Sequence, residues 1–104
     1  MTVTVIATVA INEAEPHAFA QYMEIALPLI EGSGGRLVDI FTVNEVLVGN
    51  QRPHSVILME YPSREVVEKM LASDAYKKAI PYRDIAFSEY YVAISSEDQV
   101  RALA

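Results

Sequence analysis

Cysteine is absent from the 104 residues, and so is tryptophan. Without a thiol the chain has no disulfide, no cysteine nucleophile and no thiolate metal site, so its core alone must hold it together. Basic residues are scarce, with 8 Lys and Arg against 14 Asp and Glu and a formal charge of −6. A surface of that sign repels phosphate backbones, and no basic cluster offsets it, so nucleic acid is not an expected partner. No apolar run approaches the ~20 residues of a membrane span. Met1-Thr2-Val3-Thr4 carries no basic leader, so a soluble cytoplasmic protein is expected, with no membrane association. A nucleotide-binding glycine motif, a Gly-x-Ser-x-Gly elbow and a His-Glu-x-x-His pair are all missing. Gly32-Ser33-Gly34-Gly35 follows a helical stretch rather than a strand, unlike a phosphate loop. Neither a cofactor nor a metal is expected.

What the chain does have is apolar surface, at 52% hydrophobic residues. A chain of this length buries roughly two-thirds of its unfolded surface, enough for one domain without staples. That domain spans 1–104, with a core over about 3–95 and a tail over 96–104.

The stretch from Pro53 to Glu65 organises the rest. Val56 to Met59 contains no polar residue, so both faces of that strand need cover. Upstream, Val3, Val5, Ala7, Val9 and Ile11 share one parity of a first strand. Pro16 fits the first position of a helix running to Glu31, with Phe19, Tyr22, Met23, Ala26, Leu27 and Ile30 along one stripe. Pro28 lies inside it and predicts a kink or a loosened last turn. The second strand covers Arg36 to Phe41, Asn44 to Gly49 reads as its continuation or a hairpin arm, and the third strand covers Ser55 to Tyr61. Ser63 is placed to cap a second helix, Ser73-Asp74 to break and re-cap it, and Pro81 to end it. The fourth strand covers Phe87 to Ser95, with Tyr90 and Tyr91 on opposite faces.

The order β-α-β-β-α-β is that of an α+β, ferredoxin-like sandwich: a four-stranded antiparallel sheet with two helices on one face. Its bare face is too apolar for a monomer, and a second copy packed sheet to sheet, as a dimeric α/β barrel, supplies the cover.

A resemblance rests on Gly34-Gly35-Arg36-Leu37-Val38, Glu45-Val46-Leu47-Val48-Gly49, Arg52-Pro53, Val56 through Glu65, Ser73-Asp74-Ala75-Tyr76 and Arg83, with Tyr22 and Pro28 upstream. These residues resemble the domain of unknown function 1330 family over about Val5 to Ile94. Membership implies the dimeric α/β-barrel superfamily, whose wider members include cofactor-independent monooxygenases and lactone isomerases.

Few side chains carry candidate chemistry. His54, beside Arg52 at the mouth of the third strand, has the titration range of a general base, or is a strand-end surface residue. Glu60 interrupts an apolar run and needs a partner, for which Arg36 and Arg83 are the candidates. Tyr22, Tyr76 and Arg83 are expected to point between helices and sheet, where an Arg with two phenols suits a small carboxylate or a phenolic acid. Helical tyrosines also serve as core, and His17 in the first helical turn reads as solvated. Two functions follow. One is a cofactor-independent oxygenase or isomerase, with His54 moving a proton, Arg83 or Arg36 holding an anionic group, and Tyr22 and Tyr76 positioning a ring. The other is a non-catalytic small-ligand-binding or structural dimer.

Overall fold

Val3, Val5 and Val9 are buried while Thr4, Ile6 and Thr8 between them are half-exposed, so the first strand has one covered and one open face. A computed structural model describes residues 2–95, and the 96–104 tail lies outside them. The strands are β1 (Val3–Ile11), β2 (Arg36–Thr42), β3 (Ser55–Tyr61) and β4 (Phe87–Ile94). The helices are α1 (Pro16–Gly32), α2 (Arg64–Ala72), α3 (Asp74–Lys77) and α4 (Ile80–Ala86). The sheet order is β2-β3-β1-β4 with every pair antiparallel, the ferredoxin-like arrangement.

Residues directly opposite in an antiparallel pair share a face. Val5 opposes Met59 and Ile94, and Val9 opposes Ser55 and Tyr90, which places these beneath the helices. Ile6 opposes Leu58 and Ala93, and Thr8 opposes Val56 and Tyr91, which places those on the open face. Tyr90 and Tyr91 thus lie on opposite sides of the sheet. The strand β2 is exposed along its whole length, at the edge of the sheet.

Pro16 opens α1, as its missing N–H and fixed φ dictate, and the helix runs through Pro28 to Gly32. Its last turn is tied down rather than loose. Ser33 N donates to Leu29 O at 3.0 Å, Gly34 N to Glu31 O at 3.1 Å and Gly35 N to Ile30 O at 3.0 Å. This pattern is a Schellman cap, and Gly34 takes its left-handed position at φ +81°.

The second helix breaks and is re-capped at Ser73, as expected, but the re-capped segment does not run on to end at Pro81. Ser73 closes α2 by donating from Oγ to Met70 O at 2.7 Å, and opens α3 by accepting from Tyr76 N at 3.1 Å. Pro81 does not end a helix but sits in the first turn of a new one, α4, packed against α1. The stretch 43–54 is an irregular loop, not a strand arm. It holds Leu47 and Val48 almost fully exposed, at 84% and 93%. Among the described residues no helix is long and apolar enough to cross a membrane.

Candidate functional site

Tyr22 projects from the buried stripe of α1, Tyr76 from α3 at the position fixed by the Ser73 cap, and Tyr90 from the helix-facing side of β4. Their hydroxyls meet. Tyr22 Oη lies 3.0 Å from Tyr76 Oη and 2.9 Å from Tyr90 Oη. Arg83, one turn into α4, donates from Nη1 to Tyr76 Oη at 3.2 Å. Its guanidinium carbon stands 5.2 Å from the Tyr90 ring centroid and 5.8 Å from that of Tyr76, within cation–π range.

Burial raises the Tyr22 phenol far above its ordinary pKa, and the neighbouring Tyr90 and Tyr76 raise it further. The Tyr90 phenol is also pushed up, by burial first. Both therefore stay protonated near neutral pH and act as hydrogen-bond donors rather than bases. For Arg83, burial works against the charge, but the Tyr76 phenol and its neighbours outweigh it and hold the guanidinium above its usual value.

Beside these hydroxyls a cleft of about 240 Å³ opens between α1 and the sheet. Phe19, Met23, Ile40, Ile57 and Phe87 supply apolar walls, and Tyr22, Tyr90 and Ser55 are the polar side chains that line it. Phe87 anchors the wall by edge-on contacts with Phe19 and Tyr22, at 5.8 and 5.5 Å between centroids. A smaller cavity of about 70 Å³ lies on the α2 side, and Tyr22 and Tyr90 border both. The cleft is not plugged by Met23, Leu27 or Met70. Met23 is part of its wall, Leu27 is exposed, and Met70 belongs to a separate core with Val3, Val5, Tyr61 and Val67. A larger concavity of about 460 Å³ is lined only by residues between Val46 and Pro53, a gap in one loop rather than a site built by the fold.

The candidate residues thus divide into three places. Tyr22, Tyr76 and Arg83 converge. Arg36 and Glu60 pair with each other at the sheet's open face, away from the phenols, and Thr2 adds a hydrogen bond to the Glu60 carboxylate at 3.2 Å. The Arg36 hydrogen bond lowers the Glu60 pKa against a smaller opposing effect of desolvation. His54 is exposed on the 43–54 loop, where its Nδ1 accepts from Ile11 N at 3.2 Å and its backbone N–H donates to Val9 O at 2.7 Å. It lines neither the cleft nor the smaller cavity. His17 is exposed in the first turn of α1. Tyr90 is the residue that sequence reasoning passed over, although its parity with Val92 and Ile94 was the available signal. Among the described residues no group of three or more His, Asp or Glu is placed to hold a metal ion.

The family described as domain of unknown function (DUF1330) matches residues 2–96. The chain belongs to that family. No curated protein matches this family member. Among solved structures it is similar to a protein of unknown function from Rhodopseudomonas palustris, with 21% identity and a TM-score of 0.74 over 90% of this chain and 80% of that one. It is also similar to a candidate antibiotic biosynthesis monooxygenase from Nitrosomonas europaea, with 14% identity and a TM-score of 0.62 over 94% and 91% of the two chains. A dimeric protein of unknown function with a ferredoxin-like fold from Bacteroides fragilis is a third, with 8% identity and a TM-score of 0.59 over 91% and 95%. At these identities the likeness is one of fold.

Proposed function

We propose that the cleft binds a small aromatic molecule carrying an ionisable oxygen, and that the chain acts on it as a cofactor-independent oxygenase. The observation that carries this reading is the cleft itself, whose apolar walls include Tyr22 and Tyr90, hydrogen-bonded to each other through their hydroxyls. Its volume lies just below the roughly 300–1,000 Å³ usual for ligand sites, which suits one or two fused rings. A donor facing an apolar slot stabilises an oxyanion far better than water does.

Among the described residues the lining contains no base, which favours oxygenase over isomerase. An isomerase must lift a proton from carbon and return it, and Tyr22 and Tyr90 are held protonated. A phenolic substrate ionises by its own acidity. Its electron-rich ring carbon then forms a C–O bond to dioxygen; as the O–O bond of the resulting hydroperoxide breaks, the departing hydroxide takes the proton that this ring carbon releases, so water leaves and a quinone remains. Dioxygen supplies the oxidising equivalents, so the phenol and one O₂ balance one quinone and one water. His54, outside the cleft, carries no step in this scheme.

A second reading, a non-catalytic binding module, is favoured by the same missing base. The two separate in one experiment, in which hydroquinones and naphthols are titrated under air while binding and oxygen uptake are followed together. Oxygen uptake above the uncatalysed rate supports the oxygenase. Saturable binding at one per chain without uptake supports the module, and no binding overturns both.

Either function operates in a homodimer. The open sheet face presents Ile6, Val56, Leu58 and Phe41 with Tyr91, an apolar surface suited to a second copy. The Bacteroides fragilis neighbour described as dimeric supports this assembly. Sedimentation of Leu58→Asp is expected to give a folded monomer where the unmodified chain gives a dimer. An unmodified chain that sediments as a monomer overturns it.

A further inference from the structure

The direction of the hydrogen bonds among the three phenols follows from counting hydrogens. Each phenol has one to give, and a guanidinium gives but never accepts. Arg83 therefore donates to Tyr76 Oη, and Tyr22, with a phenol on each side, donates to one and accepts from the other. If Tyr22 donated to Tyr76, the Tyr76 oxygen would take two donors. Its own hydrogen, on a side chain 3% exposed, would then be left facing the smaller cavity, whose lining is apolar apart from the phenols. If instead Tyr76 donates to Tyr22 and Tyr22 to Tyr90, each of those hydrogens has an acceptor. The one left over belongs to Tyr90, which borders the cleft. Buried donors are rarely stranded, and the wider cleft beside Tyr90 favours the second arrangement. The chain runs from Arg83 through Tyr76 and Tyr22 to Tyr90.

We propose that Arg83 is a specificity-determining positioning residue, acting through Tyr76 and Tyr22 to present the Tyr90 hydroxyl to the cleft as a donor, so that the site selects ligands with an acceptor oxygen (phenolate, enolate or carbonyl) over ligands offering only a donor. This rests on the cleft being a small-molecule site. Arg83 reinforces the effect a second way, since its charge beside the Tyr90 ring draws electron density from the hydroxyl and strengthens it as a donor. Successive hydrogen bonds polarise one another in the same sense. Without the cation, nothing obliges Tyr76 to accept, and the chain is free to reverse, leaving Tyr90 to accept from a ligand instead.

The test compares two bicyclic probes of similar size, chromone with acceptor oxygens only and indole with an N–H donor only. In the unmodified chain chromone is expected to bind on the order of tenfold more tightly, the worth of one well-made hydrogen bond. Arg83→Met is expected to bring the ratio close to one, and Arg83→Lys to restore most of it. Tyr76→Phe breaks the chain at the same link and serves if Arg83→Met fails to fold. A third readout needs no variant. The absorbance of bound 2-naphthol in the unmodified chain is expected to show a larger phenolate fraction than in free solution at the same pH. A preference for indole, a smaller phenolate fraction, or an unchanged ratio in both variants overturns the proposal while leaving the site in place. Failure of all three probes to bind overturns the site itself.

Discussion

Gly35 lies directly beneath the ring of Tyr61. A Cβ on Gly35 would stand 2.8 Å from Tyr61 Cε1 and 2.9 Å from Ile30 Cγ2, closer than real contacts allow. The end of α1 and the exit of β3 are thereby locked, and the Gly34-Gly35 and Tyr61-Pro62 pairs of the sequence become one packing unit. Gly35→Ala is expected to destabilise the chain by about 1–3 kcal/mol through overpacking. Gly32→Ala, at the end of the same helix and with open space around it, is expected to be neutral or mildly stabilising. Denaturant unfolding of the two variants checks the contrast.

Tyr22→Phe keeps the ring that packs edge-on against Phe87 but removes the oxygen that joins Tyr76 to Tyr90. Leaving buried hydroxyls unpaired is expected to cost roughly 1–3 kcal/mol. Tyr82→Phe, at an exposed phenol, is expected to stay within about 0.5 kcal/mol of the unmodified chain. Equal losses in the two variants would contradict the hydroxyl network.

The alkaline limit of stability follows from the same burial. Tyr22, Tyr61 and Tyr90 have pKa values raised in the folded chain, by burial first in each case, above the ordinary phenol value of about 10. The unfolded chain therefore releases these protons earlier than the folded one. Their contribution is complete below pH ~10 and is lost as pH rises beyond it. Phenolate absorbance is expected to rise in two stages. Exposed phenols ionise while circular dichroism stays native, and the buried ones ionise only as the fold is lost.

Glu60 gives the opposite sign. Hydrogen bonding to Arg36 lowers its folded pKa, so its contribution is present above the ordinary carboxylate range and is lost as pH falls through the lowered value. The pair is at the surface, so its effect is small and weakened by salt. The stability difference between the unmodified chain and Glu60→Gln is expected to be flat at neutral pH and to vanish in acid.

The strands and α1 were legible in the sequence because their patterns are local. The unbroken run Val56 to Met59 marks β3, and the spacing of Tyr22, Met23, Ala26 and Ile30 marks α1. Two errors came from features that only tertiary context resolves. Pro81 breaks a helix or begins one equally well, and contact with α1 makes it the start of α4. Val46 to Val48 look like strand residues, but among the described residues no strand pairs with them. At the site, helical spacing brought Tyr22 into view, and the family resemblance brought Tyr76 and Arg83. Tyr90 required knowing which face of β4 the helices cover, and the position of His54 required the path of a loop.

The central claim is that the cleft between α1 and the sheet is where a small aromatic molecule binds. Methyl-resolved NMR during titration with chromone tests it most directly, because an aromatic ligand shifts the methyl groups that it lies against. The expected result is saturable shifts at Met23, Ile40 and Ile57, which line the cleft, with Leu47 and Val48 on the exposed loop unmoved. Shifts confined to Leu47 and Val48, or no shifts at saturating chromone, would contradict it.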